Sequence, residues 1–582
     1  MNRIVSQEKR EARSIIGMML TSVFLAVVVF GVAELLLRLI DGVTQLAYYG
    51  QFSWAPISPV GHALGWWAVG VPVVGGMMIG LMARYGSEAI RGHGIPEAMI
   101  QVLSQKSRIS PKVALFKPLS AAISIGTGGP FGAEGPIIAT GGALGSLSGQ
   151  IVTLSANERK TLLAAGAAAG MTAIFGTPIA AILLSIELLL FEFRMRSIVP
   201  VAVAVATSMA LRQYFHGMHR FFPLALTEIP TFSAWGGCVI IGVVCGIAAA
   251  GITAMVYWLE DQFEKLPIHW MWWPAMGAVV VGLIGHFFPE TLGVGYQNIE
   301  RILAGKIMGP VVIVLCLMKF ISWWAALSSG TSGGTLAPLL TVGAGLGQWI
   351  GSLLAPIILI DLRLAALVGM GALFAGASRA MLASALFAVE ATGAFEQSMP
   401  VLLCCSISWW IASTLKKHSI MTEKIERRGH IVPLHYDADD FMNTKVGALM
   451  DREVPLISGD RSISSFVEER EQHREGERKA RAIVDSRGFL CGVVTDMEIL
   501  QAMREGKGDL CVSSLGKKEV ITVMPDETLH DAAEKMLVFN VGRLIVVDPA
   551  QSLLPIGYLG RKEFISGRQR RLLDEEREKG WL

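Results

Sequence analysis

The sequence predicts an all-α polytopic membrane protein with inverted repeats and broken helices, followed by a smaller charged α/β part. Three observations predict it. First, the 582 residues are 52% hydrophobic and only 17% charged, with 63 glycines and 14 tryptophans. Second, the apolar part repeats itself. Third, charge is concentrated after about residue 415, where short β-rich runs begin to alternate with amphipathic helices. Glycine within apolar segments suits close helix packing and interrupted membrane helices. A net charge of +2 singles out no polyanionic partner, and no nucleic acid is expected. The seven cysteines are scattered, with Cys404 and Cys405 adjacent and no CxxC pair. They read as small apolar core residues and predict no metal site.

The chain opens with Arg3, Lys9, Arg10 and Arg13, then the apolar run Ile15–Leu37. That run is too long for a signal peptide and contains Glu34. It reads as a first membrane helix preceded by a cytoplasmic segment, residues 1–14, by the positive-inside rule. Further apolar segments follow as far as residue 414. Several are shorter than the roughly 20 helical residues that cross a bilayer core. Short, glycine-interrupted segments predict broken helices that meet inside the protein.

The repeat is carried by two matches in the same order. Gly128–Pro136 aligns with Gly330–Pro338, so that Gly132 falls on Gly334, Pro136 on Pro338 and Glu134 on Leu336. Pro178–Glu187 then aligns without gaps on Met381–Glu390. Two halves are expected, about 15–215 and 233–414, with a substrate site between them near the midplane.

Glu134 is the only ionisable residue between Lys117 and Glu158. It stands in Gly132-Ala133-Glu134-Gly135-Pro136, just before an apolar run. Pro136 suits the first turn of a helix, and the glycines allow bare N–H groups and close approach of a ligand. A helix N-terminus attracts anions, so this acid occupies a place built for one. The plainer alternative is a neutral glutamate bonded to a nearby carbonyl. An acid at membrane depth is costly and favours the functional reading.

Two other turns are similar. One is Gly92-His93-Gly94-Ile95-Pro96-Glu97. The other is Gly334-Thr335-Leu336-Ala337-Pro338, in a stretch with no acid or base from Lys319 to Asp361. A cation pathway would use rings of carboxylates or carbonyls. These turns offer backbone N–H groups and one hydroxyl, chemistry that favours a weakly held anion.

On these three motifs, with Gly293-Val294-Gly295-Tyr296 and Ala164–Gly170, the chain resembles the chloride channel (CLC) family of anion channels and proton-coupled exchangers. The resemblance covers about residues 15–430. It implies a homodimer in the lipid bilayer, with one pathway for chloride and other small anions in each subunit. It implies that Glu134 is the gate, blocking the outer anion site when ionised. It further implies that Gly92, His93, Gly94, Ile95, Pro96, Gly132, Ala133, Gly135, Pro136, Gly334, Thr335, Leu336 and Ala337 line the pathway.

The departures from the family are informative. A family serine is His93 here, and a family phenylalanine is Leu336. The family tyrosine at the central anion falls on Met421, and no tyrosine occurs between Tyr296 and Tyr436. Many exchangers carry a second acid where this chain has Leu188. A proton relay needs a protonatable group, and Leu188 is a lost relay position.

Basic residues from Lys416 to Arg428 mark the exit to a cytoplasmic boundary. After a linker, 431–443, two similar units resemble a CBS-domain pair, 444–504 and 511–570, ending in a charged tail, 571–582. Some such pairs bind adenine nucleotides through a GxxTxxD pattern. Here the first unit offers Thr495 and Glu498, and the second lacks the threonine at Gly560. A bracing role is favoured over a nucleotide site, and no cofactor is required.

Three function classes follow. A membrane zinc protease needs an HExxH helix, which none of the eleven histidines makes. That leaves a voltage- or pH-gated chloride channel and a chloride/proton antiporter on the same fold. Leu188 and Met421 favour the channel. A bacterial inner membrane is expected, with both termini cytoplasmic.

Overall fold

The repeated sequence becomes a repeated order of helices. The computed structural model describes residues 2–104, 107–224, 226, 230–429, 444–472, 480–515, 520–550 and 553–566. The linker at 431–443 and the tail at 571–582 lie outside them. The chain divides into two units, Met1–Asp437 and Ala438–Leu582.

The first half of the larger unit runs α1 (Asn2–Thr44), α2 (Gly70–Tyr85), α3 (Ile95–Ser104), α4 (Pro111–Gly126), α5 (Glu134–Ile151), α6 (Ala156–Phe175), α7 (Pro178–Ser185) and α8 (Met195–His216). The second runs α9 (Phe232–Glu264), α10 (Trp273–Phe287), α11 (Tyr296–Leu303), α12 (Pro310–Ser328), α13 (Leu336–Leu354), α14 (Leu362–Ser378), α15 (Met381–Thr392) and α16 (Ser398–Leu415). Each helix has its counterpart eight helices on. Among the described residues, eight helical stretches are long and apolar enough to span a membrane, while α7, α14 and α15 are apolar but shorter. The chain is therefore a multi-pass integral membrane protein. The apolar run through residues 160–190 is two helices. Gly176, at φ 64°, ends α6, and Pro178 opens α7.

Contacts between equivalent elements give the relation of the halves. Gly132 and Gly334 form an antiparallel bridge, with the Gly334 N–H donating to the Gly132 carbonyl at 3.1 Å. Helices α5 and α13 start just beyond it and so leave in opposite directions. Glu187 lies in a π-helical turn, Ile186–Leu190, that continues α7. Its carboxylate accepts from the N–H groups of Leu382 (3.1 Å) and Ala383 (2.9 Å) at the start of α15. Glu390, near the end of α15, accepts from Ile179 (3.1 Å) and Ala180 (2.8 Å) at the start of α7. Each helix thus caps the other, which requires them to lie side by side and antiparallel. Free N–H groups at a helix start need acceptors, and a carboxylate also complements the helix dipole. The halves are inverted repeats about a pseudo-two-fold axis.

Small residues let these helices touch. A side chain at Gly141 would collide with the carbonyl of Gly166 on α6, and one at Gly343 would collide with that of Gly369 on α14. In lipid, helix association rests on such close packing, because apolar surface alone gives little preference. Cys238, Cys245, Cys316, Cys404 and Cys405 are buried and unpaired, in keeping with a packing role.

The smaller unit holds two three-stranded sheets. The first is β1 (Leu456–Ser458), β2 (Ala480–Val484) and β3 (Leu490–Thr495); the second is β4 (Thr522–Val523), β5 (Arg543–Val547) and β6 (Pro555–Gly560). In each, the first pair is parallel and the second antiparallel, with an irregularity late in the middle strand. The sequence units 444–504 and 511–570 do not each pack alone. Val446, ahead of the first sheet, is buried with Val523, Leu544 and Val546 of the second. Val512, ahead of the second, is buried with Ile457, Ile483 and Val494 of the first.

Removing either exchanged cap leaves two helix-start N–H groups without their acceptor, one of them on a buried alanine (Ala180 or Ala383), and a buried donor left unpaired costs about 1–3 kcal/mol. Glu187→Ala and Glu390→Ala should therefore lower the melting temperature of the detergent-solubilised chain by similar amounts. An unchanged melt for both would show that the caps carry no stability.

Candidate functional site

The antiparallel bridge brings two helix starts to one point, and a carboxylate lies there. Ala133 is the N-cap of α5 and Thr335 that of α13. Glu134, the first residue of α5, is fully buried. Its Oε1 accepts from the Tyr296 hydroxyl at 2.9 Å. Its Oε2 has no hydrogen-bond partner among the described residues. The backbone amides of Glu134 itself and of Ala337 face the carboxylate. The charge thus sits over the positive ends of both helices, where a free anion would be stabilised in the same way.

The lining is glycine because little else fits. A side chain at Gly132 would overlap the Glu134 carboxylate, and one at Gly334 would stand 3.0 Å from Oε2. One at Gly135 would collide with the His93 carbonyl and come within 2.9 Å of the Gly334 Cα. Leu336, Ala337 and Pro136 are buried beside them, and the buried Thr335 hydroxyl has no partner among the described residues.

The turn at Gly92–Pro96 also packs against Gly135, through the His93 carbonyl. Gly92 and Gly94 take φ of 83° and 88°, a region open to glycine. Ile95 and Pro96 then open α3, where Pro96 loses no helical hydrogen bond. Glu97 receives the Gly94 N–H at 3.0 Å and pairs with Lys424 at 2.8 Å. His93 is 5% exposed, its Nδ1 has no partner among the described residues, and its ring faces the Ile420 backbone. Met421, the next residue, is fully buried. The structure therefore brings His93 to the backbone segment that carries Met421. Leu188 is buried in the π-helical turn, beside the capping Glu187.

Four residues to which the sequence analysis gave no role in the site shape it. Lys117 is buried and donates to the carbonyls of Ile90 (2.8 Å) and Gly92 (2.7 Å). Its counterpart Lys319 is buried and donates to Thr291 (2.9 Å) and Gly293 (2.7 Å). Each ammonium fixes a glycine turn and spares itself the cost of unpaired burial. Tyr296 is the inverted counterpart of Ile95, since Gly293-Val294-Gly295-Tyr296 repeats Gly92-His93-Gly94-Ile95. Tyr257 donates to the Ile420 carbonyl at 2.8 Å, so a tyrosine from α9 stands behind Met421. The spacing of the two lone lysines was a usable signal; nothing local marked Tyr257.

In the smaller unit, Thr495 and Glu498 meet each other. Thr495 caps α17 (Asp496–Arg504); its N–H and hydroxyl each donate to Glu498 Oε2 at 2.7 Å, and its hydroxyl accepts the Glu498 N–H at 3.3 Å. This is a capping box, which accounts for both residue types without a ligand. In the second unit Glu563 accepts the Gly560 N–H at 2.8 Å.

Comparison with known proteins bears on the family and the fold. Residues 75–413 match the family model described as voltage gated chloride channel, and residues 512–568 match the CBS domain. A relative from Salmonella paratyphi B, named H(+)/Cl(-) exchange transporter ClcA, is 30% identical over 336 residues, 56% of this chain and 71% of its own. Another, from Ralstonia nicotianae and named as a ClcB-like chloride channel protein, is 27% identical, over 63% of this chain and 87% of its own. The crystal structure of a slow cyanobacterial Cl-/H+ antiporter aligns with a TM-score of 0.62 at 20% identity, covering 72% of this chain and 98% of that one. A eukaryotic CLC transporter aligns with a TM-score of 0.60 at 18% identity, covering 95% and 98%. At these identities the two structures speak for the fold, the second of them across both units. With an anion-ready carboxylate at the crossing of two inverted halves, and a family model matched over most of the larger unit, the chain belongs to the voltage gated chloride channel family.

Proposed function

We propose that this protein carries chloride across the membrane in exchange for protons, with Glu134 as the group that both blocks the anion path and takes up the proton. The observation that carries the reading is the fully buried Glu134 carboxylate facing the starts of α5 and α13. An ionised Glu134 fills the anion position. A protonated one has no charge to hold it there and leaves the position to chloride. Gly132, Ala133, Gly135, Pro136, Gly334, Thr335, Leu336 and Ala337 form the outer part of the path, and Gly92, His93, Gly94, Ile95, Pro96 and Met421 the inner part.

From the residues alone a channel leads, because Leu188 offers no proton relay. The relative named an exchange transporter, at 30% identity, moves exchange ahead. The channel stays as the second reading, favoured by the burial of Leu188 and the absence of an acid at that position. We further propose a homodimer in a bacterial inner membrane, one path per subunit and both termini cytoplasmic. The boundaries we propose are 15–430 for the membrane domain, 444–504 and 511–570 for the CBS pair. The pair acts as a brace, and its capping box leaves an adenine nucleotide little to bind.

The deciding measurement is the reversal potential in liposomes under opposed chloride and pH gradients. Exchange predicts a potential that shifts with the pH gradient at a fixed ratio. A potential that follows chloride alone would overturn exchange and leave the channel.

Glu134→Gln removes the ionised form. Anion flux should stay high, lose its acid activation and run without coupled protons. Full acid activation in that variant would place the gate elsewhere. His93→Ser should keep acid activation and move its midpoint or the anion preference; if neither moves, His93 only packs.

Millimolar ATP or AMP should leave the melting temperature of the full chain unchanged. Occupancy at a hundred times the dissociation constant would instead add about 2.7 kcal/mol. A clear upward shift would replace the bracing role with a nucleotide site.

A further inference from the structure

The Tyr296 hydroxyl reaches Glu134 from a ring that other residues hold in place. Phe221 packs against the ring edge to face at 4.9 Å, Phe175 at 5.9 Å and Phe222 lies at 6.0 Å. The backbone entering α11 is equally fixed. Gly295 is its N-cap at φ 76°, and Lys319 ties the preceding Gly293 carbonyl at 2.7 Å. The hydroxyl position is therefore set by aromatic packing and by the turn, independently of the carboxylate it touches.

A consequence follows when the carboxylate moves. The hydroxyl would be left as a donor beside the starts of two helices, and an unsatisfied buried donor is costly. The group that replaces the carboxylate there should take over its hydrogen bond. We propose that Tyr296 is an anion-binding residue of the outer site, whose hydroxyl donates in turn to the Glu134 carboxylate and to a small monovalent anion that replaces it. The bond at 2.9 Å to Oε1 marks where one contact of that anion lies, and the amides facing the carboxylate supply others. This rests on reading Glu134 as the group that moves.

The test removes the carboxylate first. Chloride binding to the detergent-solubilised full chain is measured by titration calorimetry for Glu134→Ala and for Glu134→Ala with Tyr296→Phe. The phenylalanine keeps the ring and its packing and deletes only the donor. Hydrogen bonds to charged groups are worth enough that loss of this one should weaken chloride binding about tenfold or more. Equal affinities in the two proteins would overturn the proposal, because a residue that only packs, or only positions Glu134, has no effect once Glu134 is gone. The underlying reading fails separately: Glu134→Gln would then keep the acid activation of flux seen in the unaltered chain, whatever Tyr296→Phe does.

Discussion

A carboxylate facing the amino ends of two helices is the interaction on which the membrane unit depends. For both helix starts to reach one side chain, the segments before them must come within backbone hydrogen-bonding distance. Gly132 and Gly334 do so, and a side chain at either would run into Glu134 or crowd it. That meeting point fixes where α5 and α13 begin, and with them the glycine-lined contacts to α6 and α14. The two buried lysines then hold the flanking turns, one in each half. Little of this arrangement lowers the energy of an empty protein. Bare, buried N–H groups are costly unless an anion, the chain's own carboxylate or a transported one, accepts from them.

Much of this was legible in the sequence because isolation is a strong signal. One acid among some forty uncharged residues could be singled out by eye, and so could its glycines and the doubled motif. What sequence could not supply was which residues meet across the axis. Glu187 and Glu390 aligned as equivalents, but alignment cannot say that each caps the other's helix. Tyr296 was quoted as part of a motif, yet its reach to Glu134 depends on an inverted turn that only the folded chain brings near. The helix break at Gly176 was hidden inside a continuous apolar run, since hydropathy does not register a left-handed glycine. At Thr495 the reverse happened. The spacing Thr-x-x-Glu carried a capping meaning in plain view, and the nucleotide reading came from resemblance.

The smaller unit follows another rule. Each sheet is too small to enclose a core, so each borrows an apolar residue from the segment that leads into the other. Ala482 and Leu490 of one sheet also share a cluster with Ile545 and Val547 of the other. The two units therefore fold as one body, and removing either would expose the core of both.

The exchanged caps at Glu187 and Glu390 bear on how such a chain could arise. Neither half can satisfy the start of its own short helix; each depends on a carboxylate that runs the opposite way. A single unduplicated half would have needed a second copy of itself, inserted upside down in the same bilayer. Forming these four hydrogen bonds from separate halves would take two copies that enter the bilayer in opposite orientations and pair antiparallel. A single chain holds the two orientations together by its own connection. Within one chain the halves are free to differ, and here one holds Glu134 at the axis where the other holds Leu336.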